Sequence, residues 1–321
     1  MVRLGILGCS DIAFKRFMPV VSNIDGLKVV AVGEEYDRKK LEPFCRKYDL
    51  EGEESFEHLI SREDIDAVYV PQPPAFHYRW AKQALENGKH VLVEKPSTVS
   101  YSLSKDLVNI AAERDLTLHE NYMFQYHSQI LAIKEIVSSG EIGDIRLIRA
   151  DFGFPLRAGN DFRYSRALGG GALLDAGGYT AKLATMFLGE TVKVDTAQMN
   201  YLSDYEVDMY GNASLSNSTG MVCQIGFGMD CGYQCSLEIW GSRGKLYTNR
   251  IFTAPDNYQP TVRVETSAGS KEVTLPADSH FQHSIERFMA GINDRKVREE
   301  MYGEILLQAK LVDDIREQGE L

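Results

Sequence analysis

A lysine follows a short apolar run, in a setting that suggests chemistry. In the segment HVLVEKPST, residues 91–93 have the composition of a buried strand, and Glu94, Lys95 and Pro96 follow directly. Ligands of parallel α/β sheets bind beyond the carboxyl ends of the strands. Because proline stops a strand and keeps the preceding residue extended, the sequence predicts a cation fixed at such an edge. The alternative is a structural Lys–Glu pair on the surface.

A second candidate cluster lies on a predicted helix at about 171–188. Asp175 and Tyr179 are four residues apart, so they share one helical face. Gly177 and Gly178 stand inside the helical pattern, where each costs about 1 kcal/mol relative to alanine. The sequence therefore predicts that something large, such as a cofactor, approaches the helix there. Tight packing against the first domain is the alternative.

Alternating strands and helices must position the lysine. The first part of the chain has short apolar runs at 2–7, 27–32 and 66–70, separated by helical stretches. This alternation predicts an α/β class, with a doubly wound parallel sheet of the Rossmann type over residues 1–121. The β-rich runs and helical end that follow predict an α+β domain over residues 122–321, with an open, mostly antiparallel sheet for substrate binding and oligomerisation.

The turn after the first run carries part of a dinucleotide-binding motif. Gly8 and Ala13 fit the first and third positions of the G-x-G-x-x-G/A pattern, while Ser10 replaces the second glycine. A serine hydroxyl can bond a phosphate oxygen, and the helix that follows offers backbone N–H groups. We expect cofactor contacts from Gly8, Ser10, Asp11 and Ile12. A plain strand–helix turn is the alternative.

Acidic residues end the second run. Glu34 lies 26 residues after Gly8, near the spacing at which a carboxylate binds ribose hydroxyls. Glu35 adds a second acid, although it is also compatible with a surface charge, and the nearest arginine is Arg38. Because a carboxylate repels the extra phosphate of NADP, the sequence favours NAD, with NADP as the alternative.

Two further strand ends should lie along the same crevice. The run at 66–70 ends in prolines around a glutamine, and a histidine lies in the next helix. A helix-surface position is the alternative for that histidine. The further cofactor contacts expected at these ends are Pro71, Gln72, Pro73, His77, Glu94, Lys95 and Pro96.

Residues 66–96, DAVYVPQPPAFHYRWAKQALENGKHVLVEKP, resemble the signature region of the glucose–fructose oxidoreductase/inositol dehydrogenase/rhizopine-catabolism (Gfo/Idh/MocA) family. HENYMFQYHSQ (119–129) and GGGALLDAGGYTAKLATMFLG (169–189) resemble its interdomain segment and its substrate-domain helix. The resemblance implies that Lys95 lies by the nicotinamide and the reacting carbon–oxygen bond. It also places Asn121 among the cofactor contacts.

Members that resemble this chain at Tyr179 use tyrosine as the proton donor or acceptor. The resemblance implies that Tyr179 exchanges a proton with the substrate oxygen, that Lys95 polarises this oxygen, and that Asp175 binds a substrate hydroxyl or orients Lys95. A nearby ammonium favours phenolate and so lowers the pKa of a tyrosine. Arg163 and Tyr164 could reach a sugar or a phosphate, with a surface-loop role as the alternative.

The resemblance implies an NAD(P)-dependent oxidoreductase that acts on CH–OH groups of a sugar, a nucleotide-linked keto-sugar or a cyclic polyol. Two alternatives stay open. One is a dehydrogenase of dihydrodiols or ring ketones, and the other is a non-catalytic NAD(P)-binding ligand sensor. We expect substrate specificity to lie in the loops at 154–166 and 201–210.

Composition bears on partners and location. The net charge is −11 and no dense basic stripe stands out, so nucleic acid is not an expected partner. No segment reaches the roughly 18 apolar residues of a membrane span, and five sparse cysteines predict neither a disulfide framework nor a metal site. A cytoplasmic protein is expected. An open sheet face rich in Val, Ile and Tyr would need cover, which predicts a homodimer or a dimer of dimers.

Overall fold

The computed structural model describes residues 1–320 and divides them into two compact units. Unit 1 comprises Met1–Asn121 and Phe281–Ala309, and unit 2 comprises Tyr122–His280 and residues 310–320. This division differs from the predicted second domain, 122–321, because the segment 281–309 makes its contacts within unit 1.

Unit 1 is built on a six-stranded parallel sheet. Its strands in chain order are β1 (Val2–Leu7), β2 (Leu27–Gly33), β3 (Glu51–Glu53), β4 (Ala67–Val70), β5 (His90–Glu94) and β6 (Leu118–Asn121). They lie in the order β3-β2-β1-β4-β5-β6, and all pairs are parallel. Strand β4 is buried throughout, as expected of a strand covered by helices on both faces. The predicted doubly wound α/β fold is confirmed.

Helices connect these strands. A π-helical turn, Ala13–Phe17, leads into α1 (Met18–Val21). The others are α2 (Leu41–Tyr48), α3 (Phe56–Ser61), α4 (Pro74–Glu86) and α5 (Tyr101–Glu113). Helix α4 begins with a proline, whose fixed φ suits a first helical position, and Gly88 follows its end at φ +76°.

Unit 2 is built on an eight-stranded sheet. Its strands are β7 (Ile145–Gly153), β8 (Lys193–Tyr201), β9 (Asp208–Ser216), β10 (Val222–Gly228), β11 (Gln234–Gly241), β12 (Gly244–Asn249), β13 (Thr261–Thr266) and β14 (Gly269–Thr274). The order is β14-β13-β12-β11-β7-β10-β9-β8, with one parallel pair, β7 with β10. The mostly antiparallel sheet is thus confirmed. Helices α6 (Ser128–Ser138) and α7 (Gly178–Leu188) belong to this unit, and a π-helical turn, Leu173–Gly177, precedes α7.

The end of the chain forms α8 (His280–Asn293) and α9 (Arg295–Gly319), and α9 contributes residues to both units. Tyr302 and Ile305 join the core of unit 1, which contains Trp80, Val68 and Val91. Within residues 1–320, no helix combines the length and the apolar character that crossing a membrane requires.

The two faces of the unit 2 sheet differ. Ile148 of β7, Ile225 of β10, and Leu237 and Ile239 of β11 are buried. The alternate positions carry Trp240 and Tyr247, which are 54% and 36% exposed, among charged side chains. The outward face carries fewer Val and Ile residues than expected, because the period-two pattern turns most of them inward.

Candidate active site

The turn after β1 has the backbone of a phosphate-binding loop. Gly8 has φ +119°, a conformation that favours glycine. The Ser10 hydroxyl accepts a hydrogen bond from the Ala13 N–H at 3.2 Å, so its own proton is still available to a ligand. Asp11 is exposed and pairs with Lys15 at 2.7 Å, which points to a surface role rather than a cofactor contact. Ile12 is half-buried beside it.

The carboxylate of Glu34 accepts hydrogen bonds from backbone N–H groups. It is buried, and its Oε2 accepts from the Cys9 N–H at 2.8 Å. Its Oε1 accepts from the N–H groups of Tyr36 and Asp37 at 2.9 and 3.1 Å. These bonds join the end of β2 to the turn after β1, so the Glu34 carboxylate helps to shape that loop; its contact with a ribose stays a prediction.

Glu35 also bonds backbone, because its Oε1 accepts from the Phe56 N–H at 2.8 Å at the start of α3. The exposed basic stretch Arg38–Lys40 follows these two acids. Arg38 pairs with Glu54 at 2.7 Å, and both side chains are more than half exposed. The segment after β2 therefore exposes basic side chains to solvent, whereas the carboxylates of Glu34 and Glu35 bond backbone N–H groups.

The proline-rich end of β4 is joined to the end of β1. The Gln72 Nε2 donates to the Leu7 carbonyl at 3.0 Å, across the two neighbouring strand ends. Its Oε1 is buried and bonds nothing within residues 1–320. Pro71 is buried, and Pro73 precedes the first residue of α4. The unsatisfied carboxamide oxygen marks this end as a place for a polar ligand.

His77 joins the ends of β4 and β5. It is fully buried, which excludes the surface position considered for it. Its Nδ1 lies 2.7 Å from the Pro96 carbonyl oxygen, and its Nε2 lies 2.6 Å from the Gln72 carbonyl oxygen. Burial, aided by the charge of Lys95, lowers the pKa of His77 to about 4, although both carbonyls favour the protonated ring. Both ring nitrogens face carbonyl oxygens, so His77 joins the two loops and offers no nitrogen to a ligand.

A buried polar chain lies behind the lysine. Glu94 accepts hydrogen bonds from the Tyr69 hydroxyl at 2.7 Å and from the Asn121 Nδ2 at 2.6 Å, and burial raises its pKa. The Asn121 Oδ1 in turn accepts from the Ser284 hydroxyl at 2.7 Å. Glu94 and Asn121 therefore brace the strand ends beside Lys95, and both are buried.

The loop after Lys95 is anchored as well. Lys95 is half-exposed, whereas Pro96, Ser97 and the next residue are buried, and the Lys95–Pro96 peptide bond is cis. The Ser97 N–H donates to the Glu120 Oε1 at 2.6 Å, and its hydroxyl lies 3.1 Å from that of Ser104. Lys95 is therefore a partly exposed cation on a buried, hydrogen-bonded loop.

In unit 2, Tyr179 is surrounded by aromatic side chains. Its ring meets those of Phe152 and Tyr122 edge-on, at centroid distances of 5.2 and 5.4 Å. Phe124 and Phe252 lie at 5.8 and 5.9 Å, and the hydroxyl is 4.0 Å from the Met123 sulfur. Such packing on several sides restricts the orientation of the ring.

The two glycines before Tyr179 are explained by packing inside unit 2. A Cβ on Gly178 would overlap the Tyr122 hydroxyl. A Cβ on Gly177 would lie 3.0–3.1 Å from Leu173 and Phe227. Neither the expected cofactor approach nor packing against the first domain is needed to account for these glycines.

Asp175 and Arg163 meet on the same side of unit 2. The Arg163 Nε donates to the Asp175 Oδ2 at 2.6 Å, and its Nη1 donates to the Asp161 Oδ1 at 3.1 Å. The side chains of Arg163 and Asp175 are 18% and 11% exposed. Two carboxylates already neutralise this guanidinium, so Arg163 is better suited to orient Asp175 than to bind phosphate.

The two loops expected to set specificity are in contact. The Tyr164 ring lies 5.1 Å from the Tyr205 ring, and its hydroxyl accepts from the Arg157 N–H at 2.7 Å. The Arg166 N–H donates to the Glu206 carboxylate at 2.7 Å. The loops therefore form one surface next to the Arg163–Asp175 pair.

Asp208 is a residue that sequence reasoning missed. It is buried at the start of β9, and its Oδ2 accepts from the Leu173 N–H at 2.6 Å, at the beginning of the helix that carries Asp175 and Tyr179. Nothing in its sequence surroundings reveals this, because the two bonded residues are 35 positions apart.

Family models match both halves of this architecture. The model of an oxidoreductase family with an NAD-binding Rossmann fold matches residues 2–122, and that of a GFO/IDH/MocA C-terminal domain matches residues 130–247. Sheet and site thus define a nicotinamide-dependent oxidoreductase. The chain belongs to the Gfo/Idh/MocA family of NAD(P)-dependent oxidoreductases.

Similar proteins include enzymes of nucleotide-linked sugars. The dTDP-3,4-didehydro-2,6-dideoxy-α-D-glucose 3-reductase of Saccharopolyspora spinosa is 37% identical over 320 residues, covering 98% of this chain and 96% of that protein. The enzyme of that name from Actinomadura kijaniata is 38% identical over 316 residues, with coverage of 98% and 95%. A crystal structure of a 3-ketoreductase from A. kijaniata with NADP and TDP-benzene has a TM-score of 0.95 at 36% identity, with coverage of 99% and 97%.

Proposed function

We propose that this protein is an NADPH-dependent reductase of a nucleotide-linked keto-sugar, of the kind that reduces the 3-keto group of a dTDP-linked deoxysugar. One observation carries the proposal: the similarity to the S. spinosa 3-reductase extends over 98% of the chain and therefore includes both units. Among the substrates expected from the sequence, the nucleotide-linked keto-sugar ranks above free sugars, cyclic polyols and dihydrodiols.

The residues of unit 1 fit a dinucleotide. Gly8 leaves the backbone of its turn open to a phosphate, and the buried Gln72 Oε1 accepts no hydrogen bond from the described part of the chain, so a ligand donor would satisfy it. When bound there, the nicotinamide supplies or accepts the hydride. Lys95, held between the Glu94 and Ser97 anchors, polarises the substrate oxygen.

The residues of unit 2 supply the proton and the sugar contacts. Tyr179, restricted by its aromatic neighbours, donates a proton to the oxygen during reduction and takes it back in the reverse direction. Asp175, oriented by Arg163, accepts a hydrogen bond from a ring hydroxyl. The adjoining loop surface around Tyr164 and Tyr205 contacts the nucleotide-linked part of the substrate.

The proposed preference for NADPH rests on the end of β2. Glu34 is buried, and both of its oxygens accept from backbone N–H groups, which does not favour its use for ribose hydroxyls. The exposed side chains of Arg38–Lys40 follow, and a phosphate there would gain favourable Coulomb energy. The A. kijaniata ketoreductase was crystallised with NADP.

Nicotinamide absorbance tests the proposal directly. Purified protein is mixed with NADPH or NADH and a panel of keto-sugars, free and dTDP-linked, with a dihydrodiol for the oxidative direction. NADPH oxidation only by a dTDP-linked keto-sugar is the expected result. Turnover of free sugars or of the dihydrodiol alone would reassign the substrate. Cofactor binding by fluorescence, without turnover of any compound, would favour a ligand sensor.

We infer further that the outward face of the unit 2 sheet pairs two copies of this chain. Trp240 and Tyr247 are exposed on it, and Arg149 is bonded there to Glu238 and Gln224 at 3.2 Å each. An aromatic centre with a polar surround is typical of a protein–protein interface. A homodimer, or a dimer of dimers, is the state that we expect in solution.

A further inference from the structure

The helix that carries Asp175 and Tyr179 receives its cap from another strand. It begins after Ala172, whose side chain cannot accept a hydrogen bond. The first N–H groups of a helix need partners from outside it. Asp208 on β9 supplies one, because its Oδ2 lies 2.6 Å from the Leu173 nitrogen.

The turn before the helix is shaped around this carboxylate. Gly171 has φ +121°, and a Cβ at that position would overlap the Asp208 Oδ1. The Gly171 N–H donates to the Arg163 carbonyl at 2.9 Å, and its own carbonyl accepts from the Asp175 N–H at 3.1 Å. One turn therefore connects the cap, the arginine and the aspartate of the site.

We propose that Asp208 is a positioning residue: as a carboxylate it holds the first turn of the helix that presents Asp175 and Tyr179 to the substrate. The inference rests on the proposed function, because that function gives the two residues their roles. Hydrogen bonds to an ionised acceptor are shorter and stronger than neutral ones, and a negative charge at a helix N-terminus is stabilised. Neutralising Asp208 should therefore loosen this turn.

The surroundings of Asp208 place its titration near physiological pH. Burial is the main cause that raises the pKa of Asp208 from 3.8 to about 6, and the charge of Glu320 raises this pKa further. The hydrogen bond from the Leu173 N–H and the charge of Arg316 lower the pKa, but by less. Tyr201, paired with Asp208 across the two strands, bonds Glu320 at 3.1 Å. The ionisable side chains of the capped helix are Asp175, Tyr179 and Lys182.

Ionisation of Asp208 has opposite expected effects on the stability of the fold and on the order of the helix start. Because the pKa of Asp208 is raised on folding, its neutral form is the one that folding favours, and its contribution to stability declines as pH rises from about 4 to about 6. Near neutral pH the charged cap thus lowers global stability while it tightens the helix start. A carboxylate that only stabilised the fold would not lower global stability and tighten the helix start at the same pH.

The test compares Asp208→Asn with Asp278→Asn, a matched control whose Oδ2 accepts from the Ser128 N–H at 2.7 Å at the start of α6. Near neutral pH, D208N should keep or raise the melting temperature and lower kcat about five- to tenfold, with the KM for NADPH unchanged. The wild-type kcat should fall below pH about 6. D208N should lack this acid limb, and D278N should retain it.

Hydrogen–deuterium exchange over residues 171–179 gives a readout that needs no substrate. D208N should exchange faster there than wild type at neutral pH, and the two should converge at pH about 5 after correction for intrinsic rates. Wild-type exchange in D208N, or a wild-type acid limb, would overturn the inference. A failure of the wild-type enzyme to turn over any dTDP-linked keto-sugar would instead refute the proposed function and leave the exchange result to decide whether Asp208 holds the turn.

Discussion

Arg163 and Asp175 form a largely buried ion pair in which the guanidinium Nε donates to the carboxylate Oδ2 across 2.6 Å. The same guanidinium bonds Asp161, so it lies between two carboxylates and carries little net charge toward a ligand. Under the proposed function, we therefore expect Arg163 to fix the direction of Asp175, which lies one helical turn before Tyr179.

Substitution of Arg163 should affect catalysis more than cofactor binding. Arg163→Ala leaves two partly buried carboxylates unpaired, and we expect kcat/KM for the sugar to fall about 10²-fold, with the KM for NADPH unchanged. Arg163→Lys cannot bridge both acids and should lose about tenfold. Arg295→Ala, which removes an exposed pair with Glu299, is the control. Wild-type kinetics for R163A would show that Asp175 needs no such support.

Lys95 and Tyr179 should each be needed for turnover. Lys95→Ala and Tyr179→Phe are expected to lower kcat by about 10²–10⁴-fold, the usual range for removal of a positioned proton donor or its partner. NADPH binding, followed by fluorescence, should persist in both. The exposed residues Lys105 and Tyr247 offer control substitutions, Lys105→Ala and Tyr247→Phe. Turnover at the wild-type rate in either site variant would refute the assigned roles.

The basic stretch after β2 should select NADPH. In Arg38→Ala/Lys39→Ala, we expect the KM for NADPH to rise about tenfold or more while the KM for NADH stays constant. Because both side chains are exposed, the difference should shrink as salt concentration rises. Arg46→Ala, on the same unit but on α2, is the control. Equal changes for both cofactors would place the 2′-phosphate elsewhere.

His77 should make the protein acid-sensitive. The buried ring has a pKa of about 4 instead of 6.5, so the unfolded chain binds a proton that the folded chain does not. Stability should fall by about 3 kcal/mol as pH drops from about 6.5 to about 4. Urea midpoints of His77→Gln should therefore decline less over this range than those of wild type. His58→Gln, at an exposed histidine, should decline as wild type does.

A charge introduced on the outward face of the unit 2 sheet should dissociate the proposed dimer. Trp240→Glu is expected to convert the dimer to a monomer at micromolar concentration in light scattering, because an unpaired carboxylate would be buried at the interface. Leu131→Glu introduces the same charge at another exposed apolar position, on α6, and should leave the mass unchanged. A wild-type monomer would contradict the proposed pairing.

Local sequence patterns were enough to predict the parallel sheet of unit 1 and the position of Lys95 directly after a buried strand. Apolar runs that end in glycine or proline identify buried parallel strands, and proline after a lysine fixes its place along the chain. The same reasoning assigned Glu34 to the ribose, because spacing reports where a side chain lies but not which backbone groups it bonds. The Glu34–Cys9 bond joins residues 25 positions apart and is visible only after folding.

Other features depend on tertiary partners as well. Strand β3, with the sequence EGE, has no strand propensity of its own and forms because β2 offers it an edge. Strands β13 and β14 pair as a hairpin that extends the sheet from β12. Asp208 lies 35 positions from the N–H group that it caps, so no window of sequence contains both.

The last helix affects how the chain is made. Tyr302 and Ile305 complete the core of unit 1, and the Tyr302 hydroxyl donates to the Leu116 carbonyl. These residues are synthesised about 180 positions after β6. On the ribosome, therefore, the first sheet to emerge keeps an open apolar flank until residues 281–309 have been made, after most of unit 2.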